Sequence, residues 1–152
     1  MDTELAPATS GAVPDFSETR LHRGQRQPRI LIADDDPDTL TILRLFLESQ
    51  NFEVMLADNG AKAWRMIQKY LPDLIVTDYQ MPEMNGMELS RLVRSTAPTC
   101  HIPILVHSAY DAAVTLDVSL YDDWFDKPTD LSSLSKTIRS RVGRGPAAGA
   151  LA

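Results

Sequence analysis

The sequence contains very little cysteine: Cys100 is the only one among 152 residues. A single cysteine cannot form an internal disulfide bond or build a cysteine-based zinc site within one chain, and it is compatible with a reducing compartment. No apolar run approaches the ~20 residues that cross a bilayer. The first residues, MDTELAPATSGAVPDF, lack the basic start and the apolar segment of a secretory signal. We therefore expect a cytoplasmic protein that does not insert into a membrane.

Basic residues are also in deficit. The chain has 15 Lys and Arg against 21 Asp and Glu, a formal net charge of −6. Proteins that coat nucleic acid neutralise phosphates with a basic surface, so we expect no direct nucleic-acid binding. Apolar residues make up 43% of the chain, which is close to the globular average and argues against wholesale disorder. The length fits one domain.

The two ends of the chain differ in composition from its centre. Residues 1–28 hold three prolines and one aromatic residue, Phe16, with no apolar periodicity. Such a segment buries too little apolar surface to offset its ordering entropy, which predicts a flexible N-terminal tail. Residues 143–152, GRGPAAGALA, predict a second flexible tail. The remaining residues, 29–142, form the predicted domain.

Short apolar runs alternate with helical periodicities across this domain. The predicted strands are 29–33, 53–56, 73–77, 102–106 and 123–126, and the predicted helices are 37–50, 60–71, 87–96, a weak one at 111–120, and 130–142. Strands without polar alternation are buried on both faces, which requires helices on both sides of a parallel sheet. With right-handed crossovers, the pattern predicts an α/β fold with a doubly wound five-stranded parallel sheet in the order 2-1-3-4-5.

Polar side chains follow four of the predicted strands, at the carboxyl edge where such sheets bind ligands. They are Asp34, Asp35, Asp36, Asp78, Ser108 and Lys127. Converging carboxylates repel one another unless a cation lies among them, and oxygen ligands favour Mg²⁺. A hydroxyl and an ammonium beside them complete a phosphoryl site in which a carboxylate can be the nucleophile. Asp36 precedes Pro37 and is also a candidate helix N-cap.

Four stretches of the chain resemble the receiver domain of bacterial two-component response regulators, the CheY-like family with a flavodoxin-like (βα)5 fold. The stretches are Ile30-Leu-Ile-Ala-Asp-Asp-Asp-Pro37, Asp73-Leu-Ile-Val-Thr-Asp-Tyr-Gln-Met-Pro-Glu-Met-Asn-Gly-Met-Glu-Leu89, Ile102-Pro-Ile-Leu-Val-His-Ser-Ala109 and Asp126-Lys-Pro128. The block around Asp78, with Met81-Pro82 and Gly86, is the most specific of the four. Together they anchor nearly all of the predicted domain.

The resemblance implies a role for each matching position. Asp78 resembles the phosphoacceptor, Ser108 the switch hydroxyl and Lys127 the active-site lysine, while Pro128 is a candidate for a cis peptide bond. The implied metal ion is Mg²⁺ or Mn²⁺. Its implied ligands are Asp34, Asp35, Asp78 and the backbone carbonyl of Gln80.

The resemblance also implies a function. We expect a stand-alone response regulator that accepts a phosphoryl group on Asp78 from a histidine kinase or phosphotransfer protein. It would signal to an unidentified protein effector through a phosphorylation-dependent change of its partner-binding face, or by phosphorelay. It would not be an enzyme beyond its own phosphoryl transfer and dephosphorylation. We expect a monomer or a phosphorylation-linked dimer.

Two departures from the family pattern leave alternatives open. Lys127 follows Ser108 by 19 residues, a spacing shorter by about one helical turn than is typical of the family. The aromatic switch position is occupied by Trp124, for which a switch role and plain core packing both remain. His107 is interpreted as a satisfied histidine near the site. The alternative function is a receiver-like protein-binding module that ignores phosphate.

Two other readings of the acidic residues are weaker. The string Asp36-Pro-Asp-Thr39 matches a motif of haloacid-dehalogenase-like phosphatases, but no second acidic cluster of that kind follows. A calcium loop starting at Asp34 would need Gly at its sixth position and Glu at its twelfth, where this chain has Thr39 and Leu45.

Overall fold

Five strands form one parallel sheet in the computed structural model, which describes residues 26–109 and 117–151, with side chains as far as Gly143. The strands are β1 (Arg29–Ala33), β2 (Glu53–Ala57), β3 (Leu74–Thr77), β4 (Ile104–Ser108) and β5 (Asp123–Asp126). Their order is β2-β1-β3-β4-β5, with every neighbouring pair parallel. The predicted fold class and strand order are confirmed.

Within the described residues, four α-helices connect or follow the strands. They are α1 (Pro37–Ser49), α2 (Gly60–Tyr70), α3 (Gly86–Ser95) and α4 (Leu131–Leu151), and a 3-10 helix spans Val118–Leu120. Side chains of Asp36, Asn59 and Asn85 accept backbone N–H groups at the first turns of α1, α2 and α3. After α1, Asn51 adopts a left-handed conformation with φ of 70°, which asparagine tolerates better than most residues.

The core has two layers, one on each face of the sheet. On one face, Ile30 and Ile32 of β1 pack with buried leucines of α1 and with Leu134 and Ile138 of α4. On the other face, alternate residues of β1 pack against α2 and α3. Successive strand side chains point to opposite faces, so burial on both faces explains the continuous apolar runs. The carboxyl ends of the strands meet at one edge.

Strand β4 begins and ends two residues later than predicted. Pro103 cannot donate to a ladder, and the sequence predicts that the polar pair His107 and Ser108 lies beyond the strand. Their backbones instead pair with Phe125 and Asp126 of β5, and both side chains are buried. Ser108 is therefore the last residue of the strand rather than the start of a loop.

The end of the last helix also corrects a prediction. Helix α4 continues to Leu151, whereas the sequence predicts an end at residue 142. The predicted flexibility of residues 143–152 stays a prediction. Local propensity is divided in this segment, because its three glycines and one proline disfavour a helix whereas its alanines and leucine favour one. Most of the predicted N-terminal tail, residues 1–25, and most of the predicted helix 111–120, residues 111–116, lie outside the described residues.

Across the part of the chain that the structure describes, no helix has both the length and the apolar character that crossing a bilayer requires.

Candidate functional site

Backbone hydrogen bonds place Asp34 and Asp78 side by side at the carboxyl edge of the sheet. The N–H of Asp34 donates to the carbonyl of Ala57 at 3.0 Å, and the N–H of Asp78 donates to the carbonyl of Ala33 at 2.8 Å. These bonds continue the β1–β2 and β1–β3 ladders past the last strand residue. The two carboxylates consequently emerge from neighbouring strands at the same level.

Asp34, Asp35 and Asp78 form a carboxylate cluster, in which one oxygen of each lies within 4.8 Å of the others. Asp34 and Asp78 are 1% and 8% exposed, while Asp35 is exposed. Three oxygen donors at this separation are the ligand type that Mg²⁺ or Mn²⁺ takes, with water completing the shell. Gln80 is exposed, two residues beyond Asp78. The structure therefore brings together all three predicted carboxylate ligands.

Lys127 extends into this carboxylate cluster from the end of β5. Its Nζ donates to Asp34 Oδ2 at 2.8 Å and to Asp78 Oδ2 at 3.3 Å. Its backbone N–H donates to the carbonyl of Ser108 at 3.0 Å, which fixes the lysine beside the end of β4. The bond between Lys127 and Pro128 is cis, as the family resemblance implies.

The electrostatics of the cluster show an excess of negative charge. Burial is the main cause that raises the pKa of Asp34, and the charge of Asp78 adds to it, although the hydrogen bond from Lys127 opposes them. Burial lowers the pKa of Lys127, but its hydrogen bond and charge interaction with Asp34, together with Asp78, outweigh burial and raise it. One ammonium faces three carboxylates, so a divalent cation fits the charge of the cluster as well as its donor atoms.

Asp36 lies next to the cluster but has a different function. Its Oδ1 accepts the backbone N–H of Asp38 at 3.1 Å and its Oδ2 accepts the hydroxyl of Thr39 at 2.7 Å. These two hydrogen bonds are the main causes that lower the pKa of Asp36. The N-cap interpretation of this residue is confirmed.

The turn after Asp78 is closely packed against the backbone at that residue. A Cβ added to Gly86 would collide with the carbonyl oxygen of Asp78. The N–H of Gly86 donates to the carbonyl of Tyr79 at 2.7 Å, and Thr77 Oγ1 donates to the carbonyl of Asp78 at 2.9 Å. Gly86 thus allows α3 to start against the segment that carries Asp78, which gives a physical reason for a glycine in the motif.

His107 is a buried residue of the site region that the sequence interpretation placed incorrectly. Its side chain is 6% exposed, and its Nδ1 is buried without a hydrogen-bond partner among the described residues. Burial, and then the charge of Lys127, lower its pKa to about 4. His107 also lines a cavity of about 500 Å³ between α1 and the Lys127–Leu131 segment. The side chain is therefore a neutral imidazole. The expectation that this histidine has its hydrogen bonds satisfied is wrong for Nδ1.

Trp124 and Asp126 form an interaction that the sequence analysis missed. The Nε1–H of Trp124 donates to Asp126 Oδ1 at 3.0 Å. The indole also packs near the rings of Tyr79 and Tyr121, with centroids 6.5 Å and 5.6 Å away. Residues two apart on a strand share a face, so the spacing of Trp124 and Asp126 was an available signal.

Comparison with known proteins supports the resemblance to response-regulator receiver domains. The sequence model of the response regulator receiver domain matches residues 30–139. An uncharacterised 14.6 kDa protein of Leptolyngbya boryana is 34% identical over 116 residues, which are 74% of this chain and 88% of that protein. Response regulator MprA of Mycobacterium leprae is 37% identical over 120 residues, 76% of this chain and 51% of MprA. This chain thus corresponds to about half of MprA.

Solved structures agree with the sequence comparison. The chemotaxis response regulator CheY4 of Vibrio cholerae superposes with a TM-score of 0.70 at 27% sequence identity, covering 76% of this chain and 98% of CheY4. Receiver domains are signalling modules that interact with histidine kinases or phosphotransfer proteins. The matched sequence, the strand order and the carboxylate cluster at the sheet edge all lead to one conclusion: this chain belongs to the response regulator receiver domain family.

Proposed function

We propose that this chain is a phosphorylation-dependent switch in which Asp78 accepts a phosphoryl group from a histidine kinase or phosphotransfer protein. The observation that carries the proposal is the ion pair of Lys127 with Asp34 and Asp78 inside the carboxylate cluster. This arrangement supplies a carboxylate nucleophile and a cation for phosphoryl oxygens at the edge where ligands bind in such sheets. The receiver domain is assigned to residues 29–142.

The proposed reaction transfers one phosphoryl group to the carboxylate of Asp78. An oxygen of Asp78 attacks phosphorus and forms a P–O bond, while the P–N bond to the donor imidazole breaks and that nitrogen keeps the electron pair. With a small acyl phosphate, the bond that breaks is P–O instead. Lys127 neutralises charge on the phosphoryl oxygens, and Ser108 offers a hydroxyl from the end of β4.

Asp34, Asp35, Asp78 and the backbone carbonyl of Gln80 are the proposed ligands of a Mg²⁺ or Mn²⁺ ion. When bound, the ion supplies charge neutralisation for the phosphoryl group and for the buried carboxylates. Burial raises the pKa of Asp34 despite the hydrogen bond from Lys127, so a divalent cation at this position would stabilise the ionised carboxylate.

The phosphoryl group is proposed to signal by biasing two conformations of the domain. Ser108 and Trp124 are the candidate switch residues, one on each of the two last strands. A shift of the population from 1:99 to 99:1 requires about 5.5 kcal/mol of preference for one conformation. New charge-assisted hydrogen bonds to phosphoryl oxygens are interactions of the size required. The output is a changed partner-binding face or relay of the phosphoryl group.

Mass spectrometry after incubation with acetyl phosphate and Mg²⁺ tests the proposal. The wild-type chain should gain one phosphoryl group, and Asp78→Asn should gain none. Asp58→Asn is the matched control, because Asp58 follows β2 at the same sheet edge and is exposed. It should be labelled like the wild type. A wild-type chain labelled by neither acetyl phosphate nor a histidine kinase would favour the alternative, a protein-binding module that ignores phosphate.

A further inference from the structure

We infer that Trp124 and Asp126 are positioning residues, which together hold the segment that carries Lys127 in place relative to the segment that carries Asp78. The inference rests on the proposed function, since it concerns the rate at which Asp78 takes up a phosphoryl group. It depends on the indole N–H···carboxylate hydrogen bond and on the packing of the indole ring.

The polar end of the indole is attached to the residue immediately before Lys127. Trp124 Nε1 donates to Asp126 Oδ1 at 3.0 Å, a hydrogen bond with an ionised acceptor. The backbone carbonyl of Asp126 accepts the hydroxyl of Thr129 at 2.6 Å, and Asp126 pairs with Ser108 in the sheet. The carboxylate bond is thus one of several restraints on the backbone from which Lys127 extends.

The apolar part of the indole packs on the residue immediately after Asp78. The rings of Trp124 and Tyr79 are 6.5 Å apart and inclined by 39°, within the range of favourable aromatic pairs. Tyr121 meets the indole in an edge-type arrangement, with ring centroids 5.6 Å apart. Beneath these rings lies a small buried cluster of Met87, Val106 and Leu120. The indole therefore contacts the Asp78 segment and the Lys127 segment at once.

These contacts close a ring of interactions through the site. Lys127 Nζ lies 3.3 Å from Asp78 Oδ2, and the residues adjacent to these two, Asp126 and Tyr79, are joined through Trp124. A loosened link on the Trp124 side allows the ammonium to shift relative to the nucleophile. Misplacement by about 1 Å can slow a reaction by about 100-fold, so modest loosening should be visible in the rate. Phenylalanine at this position would keep the ring packing but lose the N–H.

The test measures the rate of Asp78 phosphorylation by acetyl phosphate with Mg²⁺. The sequence contains two tryptophans, and the reference chain carries Trp64→Phe, so that Trp124 alone gives tryptophan emission. Asp126→Ala should slow phosphorylation by about three- to tenfold, the loss expected for one hydrogen bond, and should shift Trp124 emission to the red as its N–H turns to water. Asp126→Asn keeps an oxygen acceptor and should return both readouts to near the reference.

Two further variants separate positioning from a general loss of structure. Asp123→Ala removes a carboxylate of the same strand that binds Arg141 instead of Trp124, and it should leave the rate unchanged. Trp124→Phe should slow the reaction as much as Asp126→Ala, and the double variant should be no slower than either one. Three outcomes would each overturn the inference. One is a double variant whose loss of rate is the product of the two single losses. The others are an Asp126→Asn rate as low as that of Asp126→Ala, and an Asp126→Ala rate equal to that of the reference.

The same experiment distinguishes a failure of this inference from a failure of the proposed function on which it rests. A reference chain that is not labelled at all contradicts the proposed function. A reference chain that is labelled, with Asp126→Ala labelled at the same rate, contradicts only the positioning role of Trp124 and Asp126.

Discussion

The Nζ of Lys127 lies 2.8 Å from Oδ2 of Asp34, although the two residues are 93 positions apart in the chain. Asp34 is almost wholly buried, and Lys127 is the cation that reaches it from β5. The pair joins the end of β1 to the end of β5, across the ends of β3 and β4, which lie between these strands in the sheet. A buried carboxylate that loses its cation keeps a large desolvation penalty, so this contact should affect both stability and chemistry.

Replacement of Lys127 should destabilise the fold in the absence of a divalent cation. Because Asp34 and Asp78 raise the pKa of Lys127, the lysine contributes stability at neutral pH and loses it only above its usual range. Lys127→Met should lower the free energy of unfolding by about 1–3 kcal/mol, as measured by urea unfolding with EDTA. Mg²⁺ should recover most of this loss. Lys127→Arg, which keeps the charge, should lose less, and an equal deficit with and without Mg²⁺ would contradict this account.

Asp34→Asn should have the opposite effect on stability. Burial is the main cause that raises the pKa of Asp34 from its usual 3.8, so the folded state holds a proton there more tightly than the unfolded chain does. Stability from this group therefore increases as the pH falls through the folded pKa, and its ionised form costs stability at pH 7. Without metal, Asp34→Asn should raise the free energy of unfolding at pH 7 by about 1 kcal/mol.

The same variant should lose its response to Mg²⁺, because one proposed ligand is gone. Thermal melts with EDTA and with excess Mg²⁺ measure both effects. Wild-type protein should be stabilised by Mg²⁺ and Asp34→Asn should not. Exposed Asp58→Asn, at the same sheet edge, should follow the wild type in both conditions. An Mg²⁺ response retained by Asp34→Asn would exclude Asp34 as a ligand.

The convergence of Asp34, Asp78 and Lys127 could be predicted from the sequence because it depends mainly on backbone geometry. Parallel strands place their carboxyl ends at one edge whatever their side chains are, and continuous apolar runs locate those strands. The cap of α1 at Asp36 was predictable for a similar reason, since an acid before a proline suits the first turn of a helix.

The remainder of the site depends on packing between segments, which local sequence patterns indicate only in part. The burial of His107 follows from pairing with β5, which draws two polar residues into β4. The bond from Trp124 to Asp126 forms where the indole also packs against Tyr79 and Tyr121. Propensity and periodicity describe single segments, whereas these features arise only when segments pack together.

Gly86→Ala tests whether the turn after Asp78 leaves no room for a side chain at residue 86. The added methyl group would collide with the carbonyl oxygen of Asp78, so either that segment or the start of α3 must move. Overpacking of this kind should cost about 1–3 kcal/mol of the free energy of unfolding and slow Asp78 phosphorylation. Gly143→Ala is the matched control in α4, because nothing lies within 4 Å of its added Cβ. It should raise stability by up to about 1 kcal/mol and leave phosphorylation unchanged.

His107 should make the stability of the fold fall in mild acid. Burial, and then the charge of Lys127, lower its pKa from 6.5 to about 4, while Asp78 acts in the opposite direction. Between these two values the unfolded chain takes up a proton that the folded chain does not. The contribution of His107 to stability is therefore complete above pH 6.5 and is lost as the pH falls towards 4, by up to about 1.4 kcal/mol for each pH unit.

His107→Phe removes this titration and also the unpartnered Nδ1. The variant should show a flatter dependence of the free energy of unfolding on pH between 6.5 and 4 than the wild type, as measured by urea unfolding at several pH values. His101→Gln serves as the control, because His101 is exposed and should leave the wild-type slope intact. Parallel curves for His107→Phe and the wild type would mean that His107 takes up its proton in the folded state as readily as in the unfolded chain, and that the buried imidazole is not what limits stability in acid.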